Sequence, residues 1–199
     1  MAANIYAPFG FQPVGTVGGF NPNFRLSQRK ISSAYGTAIF KGDAVQPVVS
    51  SATGYIQVAV ANTLPLAGVF WGCTYLSTSQ GKKIWSPYYP GSDAAADVTA
   101  YVIDDPQAEF VVQCTNGPVA QANLWQNVTL VTSVAGNTFT GLSGQAITSP
   151  TTTSTLPFQV SGFVQDPTGA NGTDITGINN WVRVTFNAEV FRAGITSIS

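Results

Sequence analysis

The chain has 199 residues and a formal net charge of −1, with 9% of its residues charged against about 25% in an ordinary globular domain. That length holds one sizeable core, and the near-neutral balance argues against a nucleic-acid partner, whose phosphates need clustered Lys and Arg. Solvation falls instead to 62 Ser, Thr, Asn and Gln residues, a composition suited to strand surfaces and loops rather than to exposed helix faces. Such a surface repels its neighbours weakly, which suits an assembly as well as an ordinary neutral β protein.

The charges are segregated. Before Asp43 the chain carries Arg25, Arg29, Lys30 and Lys41 and no acid, while Asp93, Asp97, Asp104, Asp105 and Glu109 follow with no intervening base. The two blocks are expected to meet different partners, or each other in a symmetric oligomer. Cys73 and Cys114 are too few and too isolated for a disulfide framework or a zinc site, and two buried free thiols are the expectation. The start of the chain has neither a basic segment nor a long apolar run, so no secretory leader is expected. No apolar stretch reaches the roughly 18 residues of a membrane span. The Asn-x-Ser/Thr matches at Asn127 and Asn171 are accordingly read as accidental.

Residues 4–23 interleave Pro8, Gly10, Pro13, Gly15, Gly18, Gly19 and Pro22 with Phe9, Phe11 and Phe20. This excludes a helix and disfavours a central strand. The reading is an extended N-terminal arm over 1–30, ahead of a single domain over 31–199. Its aromatics need a surface to lie on, either the chain's own core or a neighbouring subunit.

Short strands follow around Ala38–Phe40, Ala44–Val49 and Tyr55–Val60, with Pro47 marking an edge or a bulge. Leu66–Leu76 is the most hydrophobic run, and Gly68 and Gly72 within it imply a strand that bends or lies close to another backbone. Trp85, Tyr88 and Tyr89, set between prolines, would form an aromatic surface platform or cap one open end of a sandwich. Asp93–Asp97 has room for one helical turn. Val98–Ile103 and Ala108–Cys114 are rich in Val, Ile, Tyr and Phe and are expected to pair as a central hairpin about a type I turn at Asp105-Pro106.

Further strands are expected at Leu124–Thr132, Thr138–Leu142 and Phe158–Val164, with a Ser/Thr-rich loop over Ala146–Leu156 and a long loop over Gln165–Asn180. The last strand alternates most cleanly, Val182, Val184, Phe186, Ala188 and Val190 facing one way. Nine or ten short strands without helical crossovers make an all-β protein, an antiparallel β-sandwich or barrel of jelly-roll-like form.

The absence of histidine removes the commonest general base and metal ligand. Asp104 and Asp105 would diverge at a strand end, whereas Asp97 and Glu109 would face each other across the hairpin. Asp166, Asn171 and Asp174 lack the Asp-x-Asp-x-Asp-Gly spacing of a calcium loop. No catalytic residue, metal site or cofactor is therefore expected.

Five stretches resemble a known group of proteins. They are Ala7-Pro8-Phe9-Gly10-Phe11-Gln12-Pro13-Val14, Lys41-Gly42-Asp43-Ala44-Val45, Thr53-Gly54-Tyr55-Ile56-Gln57-Val58, Leu66-Ala67-Gly68-Val69-Phe70, and the terminal strand through Asn187. Together they resemble the head decoration or cement proteins of tailed bacteriophages. The resemblance implies a protein made in the host bacterial cytoplasm that sits on the outer capsid surface of the virion. Its implied partner is the major capsid protein, and its implied state a homotrimer, with a dimer as the alternative. On that reading Arg25, Arg29, Lys30 and Lys41 contact an acidic shell and Phe9, Phe11 and Phe20 anchor the arm. The competing reading is a carbohydrate-binding module of a tail fibre or spike, resting on Trp71, Trp85, Tyr88 and Tyr89. A third, a β-sandwich glycosidase, would need two carboxylates roughly 5–9.5 Å apart in a cleft.

Overall fold

The computed structural model of the protein describes residues 4–19, 24–48, 53–62, 64–164 and 177–191. Phe20, Arg192 and the segment carrying Asp166, Asn171 and Asp174 lie outside these. The described strands are β1 (Gln12–Thr16), β2 (Leu26–Ile31), β3 (Ala44–Pro47), β4 (Ile56–Val58), β5 (Gly68–Leu76), β6 (Lys83–Ser86) and β7 (Val98–Ile103). They continue with β8 (Ala108–Gln113), β9 (Asn127–Val128), β10 (Leu130–Val131), β11 (Ala146–Ile147), β12 (Phe158–Phe163) and β13 (Trp181–Phe186). A single 3-10 turn, Gln121–Asn123, is the helical content of the described residues.

All strand pairs are antiparallel. One sheet runs β1-β8-β13-β12-β9, a second runs β2-β7-β5-β3-β4 with β6 also on β5, and β10 pairs with β11 apart from both. The protein is an all-β sandwich. Its main core lies between the sheets, where Phe110 and Val112 of β8, Phe158 and Val160 of β12, and Val182, Val184 and Phe186 of β13 meet Ala44, Val69 and Ile103. A second core fills the other face of the second sheet, with Ile31, Val45, Ile56, Phe70, Cys73, Val98, Ala100 and Val102. A bridge between Lys30 and Tyr55 brings the two ends of that sheet together, so the sheet curls around this second core.

The second sheet is thus apolar on both faces, which is why Leu66–Leu76 shows no alternation. Gly68 marks the close approach expected there. It lies at φ 131°, and a Cβ on it would stand 2.4 Å from Ile103 O. The ladder between β5 and β7 shifts register between Phe70 and Gly72.

Five expectations are corrected. The strands at Val98–Ile103 and Ala108–Gln113 form, but β7 pairs with β2 and β5 while β8 pairs with β1 and β13. The connection is a crossover from one sheet to the other instead of a hairpin. Its turn is the expected one, with Ala108 N donating to Asp105 O at 2.9 Å and Gln107 N to Asp105 Oδ1 at 2.9 Å.

The described part of the 1–30 arm belongs to the body. β1 is an edge strand of the first sheet, with a bulge between Pro13 and Gly15, and β2 is a full-length partner of β7. Edge strands tolerate proline and glycine, so their density misleads here. Phe11 is fully buried, stacked on Phe158 at 4.4 Å and edge-on to Phe110 at 6.3 Å.

Thr138–Leu142 is a loop rather than a strand, wound about Asn137 by Gly141 N to Asn137 O and Asn137 N to Leu142 O. Asp93–Asp97 holds no helical turn, because the Asp93 carboxylate draws the chain around Ser77, Thr78 and Ser79 instead. The final strand alternates as read but stops at Phe186. There Asn187 donates to Leu156 O at 2.7 Å, and the chain turns away to bridge Leu66 at Glu189. The two thiols are free and buried in separate cores.

Replacing Phe11 with Ala removes a buried ring packed on Phe110 and Phe158, and is expected to cost about 3–5 kcal/mol. Urea denaturation of the variant checks this. A loss below about 1 kcal/mol would mean that the N-terminal segment is not part of the core.

Candidate functional site

The crossover from β7 to β8 is where the chain brings its charges together. Asp104 leaves the end of β7 fully buried, and β2 runs beside it with Arg25, Ser27 and Arg29 within reach. Arg29 Nη2 donates to Asp104 Oδ2 at 2.6 Å, Ser27 Oγ donates to Oδ1 at 2.9 Å, and Arg25 Nε lies 3.3 Å from Oδ1. The basic and acidic blocks of the sequence therefore meet inside one chain. Both guanidinium groups also lie over the Phe191 ring, 4.4 and 5.3 Å from its centroid. This cation–π contact holds the segment after β13 against β2.

Beside Phe191 the buried Glu189 carboxylate accepts from Phe191 N through Oε2 at 2.9 Å, while Oε1 has no hydrogen-bond partner among the described residues. Burial pushes its pKa from the ordinary 4.5 up to about 7; nearby Asp104 adds to the rise, and Arg25 and Arg29 oppose it.

Over this cluster lies an open groove of about 410 Å³. Val17, Pro106, Trp125 and Phe191 form its apolar walls, and Gln107, Gln159, Ser161 and Thr185 its polar floor. No lining residue is charged. Gln159 of β12 pairs with Thr185 of β13 across the ladder, Ser161 stands at the bulge between Val160 and Gly162, and Gln107 comes from the turn before β8. Trp125 enters from the turn after Gln121–Asn123, and the residue is 73% exposed.

The residues singled out from sequence scatter. Phe9 packs edge-on against Trp181 at 5.1 Å and Phe11 is core, so neither is a free anchor. Arg25 and Arg29 are engaged with Asp104. Lys30 donates to Thr99 Oγ1 at 2.9 Å on the exposed face of β2, and the Lys41 ammonium sits 3.7 Å over the Trp71 ring.

The aromatic platform does not form. Tyr89 is fully buried with its hydroxyl donating to Tyr35 O at 2.6 Å, Tyr88 stacks on Phe40 at 5.5 Å, and Trp85 alone of the three is exposed. Asp97 and Glu109 do not face each other, because their strands lie in different sheets. Asp97 accepts from Tyr55 Oη and Ser33 N, while Glu109 accepts from Ser161 Oγ at 2.6 Å and pairs with Arg183 at 3.7 Å. Among the described residues no three Cys, Asp or Glu side chains gather as a metal set.

Sequence reasoning missed the groove, since Trp125 was absorbed into an expected strand and Phe191 lay past the alternating run. The available signal was Trp125 itself, a large ring between the amides of Asn123, Gln126 and Asn127.

Asp43 is the other buried acid. It accepts from Phe40 N at 2.7 Å and from Ser143 Oγ at 2.6 Å, and burial raises its pKa from 3.8 to about 6 against those two bonds. With folded-state values above the unfolded ones, Asp43 and Glu189 make the native state bind more protons than the unfolded chain between about pH 4 and 7. Their effect is to lower stability as pH rises through that window. Asp93 and Asp97 act oppositely. Hydrogen bonds from Ser77 and Tyr55 respectively are the largest causes holding their values below the ordinary 3.8, so their contribution is lost as pH falls below about 4.

Stability is therefore expected to peak near pH 5 and to be lower by on the order of 2 kcal/mol at pH 8. Urea denaturation across that range, with Asp43→Asn and Glu189→Gln combined to flatten the alkaline slope, checks it. A profile that rises steadily to pH 8 would contradict the assignment. Comparison of the chain with protein families, with curated proteins and with solved structures returned no match.

Proposed function

We propose that the protein is a structural, non-catalytic component of a tailed-bacteriophage virion, a cement or decoration protein that binds the outer surface of the major capsid protein shell. One observation carries this reading. Three of the stretches that resemble cement proteins, far apart in sequence, interlock at one buried junction, and a fourth pairs with β3 beside it.

Phe11 N donates to Gly42 O, Gly42 N to Phe70 O and Phe70 N to Asp43 O, each at 2.8 Å. Gly10 N donates to Gln145 O, whose side chain in turn accepts from Ala44 N. The stretch around Ile56 pairs with β3, and Leu66 bonds to Ala188 and Val190 just beyond the terminal strand. The resemblance is thus carried by the residues that build the body, which supports a shared scaffold. Among the described acids, Asp43, Asp93, Asp97, Asp104 and Glu109 are engaged in hydrogen bonds or ion pairs that hold the fold.

With the N-terminal segment inside the body, the grip on a shell falls to surface features. The most exposed large hydrophobic residue among those described is Phe139, 97% accessible. Its loop is held by Phe139 N and Thr140 N donating to Asn137 Oδ1 and by the Asn137 to Leu142 bridge. A ring presented on a pre-ordered loop loses little entropy on docking. Copies repeated over a lattice, as trimers or as dimers, then stabilise the shell by mass action.

Purified protein is expected to co-sediment with expanded heads that lack it and to add density to their outer surface in cryo-electron microscopy. Phe139→Ser is expected to weaken that binding about 10-fold, the equivalent of about 1.4 kcal/mol, with an unchanged melting temperature. Heads that bind none of the wild-type protein would overturn the reading.

A further inference from the structure

Trp125 is explained by neither packing nor backbone preference. It sits at φ 63°, the left-handed region that a bulky aromatic rarely adopts and in which strain is often held for a purpose. Its exposed ring adds little to the core. Two hydrogen bonds nevertheless fix the backbone, Trp125 N donating to Val160 O at 2.9 Å and Gln159 Nε2 donating to Trp125 O at 3.0 Å. The ring is held out over the groove.

We propose that this groove binds a neutral saccharide, with one pyranose face stacked on Trp125 and the sugar hydroxyls bonded to Gln107, Gln159 and Ser161. The polar groups have capacity to spare. Among the described residues the Gln107 side-chain amide makes no hydrogen bond, Gln159 keeps Oε1 free, and Ser161 Oγ donates to Glu109 while its lone pairs remain open.

The lining selects the ligand class by exclusion. Among the described residues an anion finds no uncommitted cation, because Arg25 and Arg29 behind Phe191 are paired with Asp104 and Arg183 is paired with Glu109. A wholly apolar ligand would strand the amides. A proline-rich peptide presents chiefly carbonyl acceptors, which leaves Gln159 Oε1 and Ser161 unmatched. A pyranose offers an apolar face together with hydroxyls that both donate and accept, and the groove's 410 Å³ falls within the roughly 300–1,000 Å³ of small-ligand sites. This site is independent of the virion reading, since it belongs to the isolated chain.

The test uses the purified full-length chain. Isothermal titration with maltotriose, cellotriose and chitotriose, beside an array of neutral and sulfated glycans, is expected to give binding to at least one neutral sugar with a Kd on the order of 1 mM. Trp125→Gly is expected to lose at least tenfold in affinity while melting no lower than wild type, because glycine accepts the positive φ without strain. Gln107→Ala, on an exposed turn, is expected to weaken binding severalfold at unchanged melting temperature. Binding to no neutral glycan, binding to sulfated glycans or a proline-rich dodecapeptide alone, or full affinity in Trp125→Gly would each overturn the proposal.

Discussion

The buried Asp104 carboxylate is the point on which the two sheets depend. It stands where the chain leaves β7 of one sheet for β8 of the other, and it is held from the side by Arg29, Ser27 and Arg25 along β2. A buried ion pair of this kind adds little net stability over an apolar substitute, but losing one partner leaves an uncompensated charge that costs about 3–5 kcal/mol. Its contribution is specificity of register. β2 can slide along β7 only by separating the arginines from Asp104, so the edge of the second sheet is fixed at the same place where the sheets are joined. The segment carrying Glu189 and Phe191 closes over that place, and the groove is the gap left between the closure and β12.

The second sheet shows why a chain so poor in charge folds without helices. One of its faces packs on the first sheet and the other encloses Phe70, Cys73, Ile31 and their neighbours. Two apolar faces demand a strand with small residues where backbones converge, which Gly68 and Gly72 supply in β5. The first sheet is simpler. Its β13 buries Val182, Val184 and Phe186 on the inner face and leaves Arg183 outside to pair with Glu109, the division that an alternating sequence implies.

Strand positions were legible because β-branched and aromatic residues cluster in them; partners were not. Val98–Ile103 and Ala108–Gln113 have the same apolar pattern whether they pair with each other or with strands of different sheets, and a tight Asp-Pro turn serves either arrangement. The signal against a hairpin was electrostatic. A block of bases without acids and a later block of acids without bases need each other, and Arg25, Ser27 and Arg29, at every second position from just before β2 into it, all reach Asp104. The N-terminal segment was misread because proline and glycine at a sheet edge look like those of a free arm. Trp125 was hidden for another reason, since nothing in a one-dimensional pattern reports a positive φ at a residue other than glycine.

The strands at the start of the chain find their partners late. Gln12–Thr16 pairs with Ala108–Gln113, and Leu26–Ile31 with Val98–Ile103, so neither edge can be laid down until about half of the protein has been synthesised. The first sheet also waits for Trp181–Phe186 beside β8. Such high contact order slows folding, because loop closure must precede the pairings that reward it. The N-terminal strands accordingly emerge before their core can close, and the interval in which bare strand edges can find one another depends on how fast the C-terminal third arrives.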